Sequence, residues 1–527
     1  MRRRDFLRMG LAGLGAGCAR RSPTSSLHRR TRTLSVTERW GDLPDGVPSS
    51  VFLPESARPK GVLELYMLGG VSPWESFYTV PEYGNPDAVG TQQVQQWWSF
   101  QNWGGPTVPE FDKALCGASS PLYSPFATDA LGMTVNLGPF VRPLRDRPDL
   151  LARMRVWVMF HDLQPHEAGI PLAITGHRLG IPQQTSLASH VQRYMGEHAA
   201  DGRTAPHAYT ILQGMPLGNR LDTSWATGLH PATSRPLVIR YGPGSGLAER
   251  LNRTSVSAYR EPLDDLVAHY TQQVQSRFAN GSSIAGTPLR ADGLADYDHA
   301  RSVLRNHEDL AQLITADYLT SSMNSRCKGD PIRDETVAGL RLASHLLTAP
   351  DNAARYVMMC DGGLYPDPLG MGYDSHPEHV FSQGANIVHA MDAVANQINR
   401  PDENNPNKLD LDKHFVLLNT EFGRSPFPEF TKTNPIGLGT NHWPWGYVVV
   451  GLGSFVDEER SGIVGAIGPE GHAVHGTTPA EHRAAMLLAM GIWPFTREGF
   501  GVGDIRGVDD RVAAAMKLRA DVLGYPA

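Results

Sequence analysis

The chain is poor in cysteine, with four in 527 residues, at Cys18, Cys116, Cys327 and Cys360. So few, so widely spaced, cannot make a disulfide scaffold. After processing only Cys116, Cys327 and Cys360 remain, and at most one bridge can form. An excess of basic charge is also missing. The 48 Lys and Arg stand against 54 Asp and Glu, a net charge of −6, and offer no field for nucleic acid. After the first twenty residues no apolar run approaches the ~20 needed to span a bilayer. Internal repeats are absent. Glycine (54) and proline (40) are plentiful, and 41% hydrophobic with 19% charged residues is ordinary for a globular protein with many loops around a regular centre.

The N-terminus reads as an address. Arg2-Arg-Arg-Asp-Phe-Leu-Arg8 precedes a short Gly/Ala-rich run and resembles a twin-arginine export signal, with Arg3 and Arg4 as the pair. That implies a periplasmic or extracellular destination. Cys18 ends Leu14-Gly-Ala-Gly-Cys18, similar to a lipoprotein processing box, so a lipid at Cys18 is the one membrane attachment expected. Residues 1–18 are read as signal, 19–58 as a linker rich in Arg, Ser, Thr and Pro, and 59–527 as a single domain.

Within that domain, apolar runs at 61–68, 155–160, 209–212, 237–241, 355–360, 414–420 and 447–452 predict buried strands. Helical patterns cover 187–198, 380–399 and 479–491, and 260–348 carries mostly helix, as crossovers or as a helical insertion. Trp97, Trp98 and Trp103 fall in a long loop-rich stretch that could form a lid or a binding surface. Alternating strands and helices predict an α/β fold with a mainly parallel central sheet and helices on both faces.

Four strand-like runs end in residues fit to hold a metal or an anion, where open α/β sheets place their chemistry. The first is followed by Ser72, Glu75 and Ser76, and the 155–160 run by His161 and His166. Asp374, His376 and His379 lie within six residues in a Gly-flanked loop after the 355–360 run. Glu421 and Arg424 follow the run at 414–420, with His442 beyond. Mixed carboxylate and imidazole donors suit a divalent transition ion, Zn or Mn, singly or as a pair clamping attacking and leaving oxygens. Arg424 either grips two oxygens of a sulfate or phosphate or pairs with Glu421. His161 and His166 are either site residues, supporting or contacting substrate, or satisfied loop histidines.

These blocks together resemble the domain-of-unknown-function family numbered fifteen-oh-one, a sulfatase-like branch of the alkaline phosphatase superfamily. The carriers are the Gly-Gly turn at Gly69-Gly70, His161 to Arg178, Tyr-Asp-Ser-His-Pro-Glu-His379, Glu-Phe-Gly-Arg424-Ser-Pro and Asn-His442-Trp-Pro. The resemblance implies an alkaline phosphatase-like sandwich. It also implies Asp374, His379 and His442 as ligands of one ion with His376 nearby, and Glu421 helping to hold a second. Glu75 stands where the family usually has Asp, and Ser76 is the implied nucleophile. The expected activity is metal-dependent hydrolysis of a sulfate or phosphate ester, small or polymer-borne. The alternative is a metal-bound binding or assembly protein on the same scaffold.

Overall fold

The computed structural model describes residues 40–83, 123–181, 185–198, 208–214, 236–241, 332–350, 354–364, 371–377, 379–429, 439–496 and 499–526, plus short pieces between 262 and 324. The signal with Arg3, Arg4 and Cys18, the three tryptophans Trp97, Trp98 and Trp103, Cys116, Cys327 and most of 260–331 lie outside the described residues.

Among the described residues eight strands form the central sheet: β1 (Gly61–Met67), β2 (Met154–Met159), β3 (Tyr209–Gln213), β4 (Leu237–Arg240), β5 (Tyr356–Asp361), β6 (His414–Asn419), β7 (Tyr447–Gly453) and β8 (Gly462–Val464). Their spatial order is β8-β2-β7-β6-β1-β5-β3-β4. β1 pairs in parallel with β5 and β6, β5 with β3, β3 with β4, and β2 with β8. β7 alone runs against its neighbours β6 and β2. The sheet is thus mainly parallel, and its central strands are buried throughout, as their continuous apolar sequences require.

Alternation along β1 feeds two cores. Leu63, Leu65 and Met67 join a cluster with α3 (Glu335–Thr348) and α4 (Val380–Gln397). Val62, Tyr66 and Leu68 join the opposite one with α2 (Leu187–Glu197), α5 (Pro479–Ala489) and α6 (Arg511–Lys517). Helices therefore flank both faces. α5 starts with a reciprocal cap, Thr478 accepting from Glu481 N–H while Glu481 accepts from Thr478 N–H. The stretch 40–58, linker-like in composition, sends Trp40, Val51 and Leu53 into the second core. Cys360 on β5 is a free, buried thiol that burial pushes up to about 12, so it stays protonated and unreactive.

The second core also buries His190, whose ring stacks on Trp40 with centroids 4.9 Å apart. Burial, helped by the nearby His177 and Arg193 charges, pushes this imidazole down to about 3. An unfolded histidine titrates near ~6.5, so below that pH the unfolded chain takes up a proton the folded chain refuses. The contribution is fully present above pH ~6.5 and is lost as pH falls toward the folded value. His190→Phe, which keeps the stack, should flatten the fall in urea-unfolding free energy below pH 6.5 by up to about 1.4 kcal/mol per pH unit. An unchanged slope would place the protonation elsewhere.

Candidate metal centre

The C-terminal edge of the parallel strands gathers the polar groups. Beyond β1, the Gly69-Gly70 turn lets the loop before α4 lie against the strand end. Gly69 has φ 121°, and a Cβ there would sit 2.2 Å from the Asp374 backbone nitrogen. Its N–H donates to Glu421 Oε1 at 2.8 Å, which ties the end of β1 to the residue just past β6. β2 runs into His161 and then α1 (His166–Thr175), with His166 at the helix start. After β6 the chain makes a hairpin of Gly423–Glu429 and Gly439–Trp443, in which Arg424 sits opposite His442. Gly439 packs so tightly on the His376 carbonyl that a Cβ would lie 1.6 Å from it.

Three imidazoles surround the Asp374 carboxylate. His166 Nε2 lies 3.5 Å from Oδ2, His442 Nε2 3.5 Å from Oδ1, and His376 Nε2 3.2 Å from Oδ1. Each ring is held from behind at Nδ1 by a group that can only accept: Glu421 Oε1 at 2.7 Å for His166, the Gln164 carbonyl at 2.7 Å for His442, and Glu429 Oε2 at 2.5 Å for His376. Nδ1 must then carry the proton, and in the neutral ring the Nε2 lone pair faces Asp374. This is how ligand histidines are oriented around an ion. His376 and His442 bring their Nε2 atoms within 2.9 Å of each other, which two lone pairs tolerate only with a proton or a metal ion between them.

The spacing fits an ion as well. Bonds of about 2.1 Å separate tetrahedral ligands by about 3.4 Å and adjacent octahedral ligands by about 3.0 Å. The three contacts to Asp374 and the His376–His442 contact run from 2.9 to 3.5 Å. His166, Asp374 and His442 can each offer one ligand atom, and these atoms all lie within 4.8 Å of one another.

The electrostatics point the same way. Burial would raise the Asp374 carboxyl, but His166, His442 and the Arg424 charge hold it far below the ordinary range. Burial would lower His166, yet the Asp374 and Glu421 carboxylates outweigh it and push the imidazole up to about 9. At 3.5 Å the His166–Asp374 contact is an ion pair rather than a hydrogen bond, and His166 Nε2 has no hydrogen-bond partner among the described residues. The pocket thus draws a cation to that nitrogen.

The remaining expected residues fall elsewhere. His161 spends both nitrogens on backbone, Nε2 donating to Glu421 O at 2.7 Å and Nδ1 accepting from Leu163 N–H, and burial pushes it down to about 4. It props the Glu421 backbone. His379 and Glu75 form a second, closed group. His379 Nε2 is 3.2 Å from Glu75 Oε2, and its Nδ1 meets Ser375 Oγ at 2.9 Å and Thr440 Oγ1 at 3.1 Å. Ser72 donates to Glu75, and Ser76, fully buried, donates to the Ser72 carbonyl. Arg424, also 0% exposed, directs Nη1 to Asp374 Oδ1 (2.9 Å) and Gly69 O (3.1 Å), Nη2 to Thr440 O, and Nε to Thr440 Oγ1.

Two contributors carry no sequence signal. Glu429 stands five residues past Arg424 with nothing in its spacing to mark it, and the Gln164 carbonyl is backbone. Comparison with family models, curated proteins and solved structures finds no match to this chain.

Proposed function

We propose that the chain is a divalent-metal-dependent ester hydrolase of the sulfatase/phosphatase type, its ion held by His166, Asp374 and His442 with His376 beside them. The observation that carries this is the convergence of Nε2 atoms on Asp374, each ring fixed by an acceptor at Nδ1. A donor set rich in imidazole suits Zn or Mn and does not suit Ca. When bound, the ion supplies Lewis acidity toward an ester oxygen and lowers the pKa of water in its shell. The chain's own residues orient and balance it. Glu421, Glu429 and Gln164 O hold the rings, and Arg424 holds Asp374. The His376 side chain, 35% exposed against 11% for Asp374, marks the side from which an ester approaches.

Ser76 lies too deep to attack a substrate in this conformation, so water is the attacking group. The resemblance named above supports an alkaline phosphatase-like version of the fold, and the Arg3-Arg4 pair supports export by the twin-arginine route. A second reading, a metal-bound binding or assembly protein, draws on the burial of Ser76 and Arg424. Hydrolysis of aryl sulfates and phosphates separates the two. Activity should vanish with a chelator, return with Zn or Mn, disappear in His442→Ala and persist in Ser76→Ala. A metal-loaded protein inert across the panel would leave the binding reading.

A further inference from the structure

We infer that the centre is built for one ion, and that the Arg424 guanidinium stands where a second would be needed. The inference rests on the metal reading above and concerns how many ions the site takes. Two groups of ligand type bear on the count, one around Asp374 and one formed by Glu75 and His379. A two-ion centre would draw on both, with ions about 3.5–4 Å apart and a carboxylate between them. The space between the groups is filled by protein. Arg424 lies against Asp374 Oδ1 at 2.9 Å, its Nε reaches Thr440 Oγ1 at 3.2 Å, and Thr440 Oγ1 meets His379 Nδ1 at 3.1 Å. Both His379 nitrogens are engaged there, one by Glu75 and one by the Ser375 and Thr440 hydroxyls.

Charge gives the same count independently. With the rings neutral, as they become when an ion displaces the proton from His166, the group around Asp374 holds three carboxylates, Asp374, Glu421 and Glu429, and one permanent cation, Arg424. That leaves minus two, which one divalent ion cancels. A second ion beside Arg424 would meet only the Glu75 carboxylate, leaving unbalanced positive charge in a buried setting that disfavours it strongly. Glu421 is occupied as well. Its Oε1 accepts from Gly69 N–H and from His166 Nδ1–H, and its Oε2 lies 3.3 Å from the Thr420 hydroxyl, which also donates to Met67 O at 3.0 Å. It is a positioning residue for His166.

The test is equilibrium dialysis of the full chain against Zn²⁺ or Mn²⁺ alone, with metal counted per chain. The expected result is one tight equivalent. Glu75→Gln should leave both count and affinity unchanged. Glu421→Gln should keep the count at one while weakening the affinity about 10–100-fold, the usual cost of losing a carboxylate behind a ligand histidine. Two tight equivalents, one of them lost in Glu75→Gln or Glu421→Gln, would overturn the inference and leave the metal-dependent reading standing. No tight equivalent in the parent would remove the metal reading itself. The parent's count needs no variant to fold.

Discussion

Asp374→Ala should lose its tight ion and, with chelator present throughout, still unfold about 3–5 kcal/mol more easily than the parent, the usual cost of stripping one partner from a buried charge pair. The two losses have different causes. The metal goes because the carboxylate is the group on which three imidazoles converge. The stability goes because Arg424, fully buried, has its charge matched at 2.9 Å by Asp374 and otherwise meets only neutral oxygens of Gly69 and Thr440. Asp374→Asn separates the effects, since the amide oxygen still accepts from Arg424 while the ion loses an anionic ligand. Urea unfolding in chelator, beside metal titration, reads both. A parent-like stability for Asp374→Ala in chelator would mean that Arg424 is held by its carbonyl contacts alone.

The second large effect lies inside the sheet. Glu64, in the middle of β1, is 2% exposed and pairs with Arg483 of α5 at 2.5 Å. It also accepts from Tyr356 at 2.5 Å and from Asn419 at 2.8 Å, while Arg483 Nε donates to Ala173 O at 2.7 Å. Burial would lower the Arg483 guanidinium, but Glu64 outweighs it and holds it above its ordinary value. Arg483→Met alone should cost about 3–5 kcal/mol, because it strands a carboxylate in the core. Glu64→Leu with Arg483→Met should recover most of that loss, since a packed apolar pair is often as stable as the ion pair it replaces. A double-mutant cycle in denaturant measures the coupling, and additive losses would deny it.

The frame was legible because buried parallel strands read as unbroken apolar runs. The runs at 61–68, 355–360 and 414–420 fall on β1, β5 and β6 to within a residue or two. β8 has three residues, and the pairing of the arm carrying Arg424 and His442 shifts register between Arg424 and Pro428, so neither gives a regular run to read. At the site, Asp374, His376 and His442 were readable as donors, but which groups meet was not. The family resemblance put His379 with Asp374, whereas here His379 turns toward Glu75 and His166 takes the place beside Asp374. Both histidines stand at helix starts, and which way such a side chain turns depends on the approach of a loop from elsewhere in the chain. Arg424's burial was equally hidden, since it follows from the hairpin folding back over the Gly69 turn.

The sequence distances across the centre set the order of assembly. His166 and Glu421 are 255 residues apart, and His376 and His442 are 66 apart, so no fragment of the chain owns the pocket. Closing such long loops costs entropy before any contact repays it, which makes the pocket a late product of folding. An ion that binds only the finished pocket is then a reporter of completed folding and a brake on unfolding. If Arg3 and Arg4 direct export of the folded chain, as proposed above, the choice among ions would be made by whichever metal pool surrounded it as the pocket closed, before export.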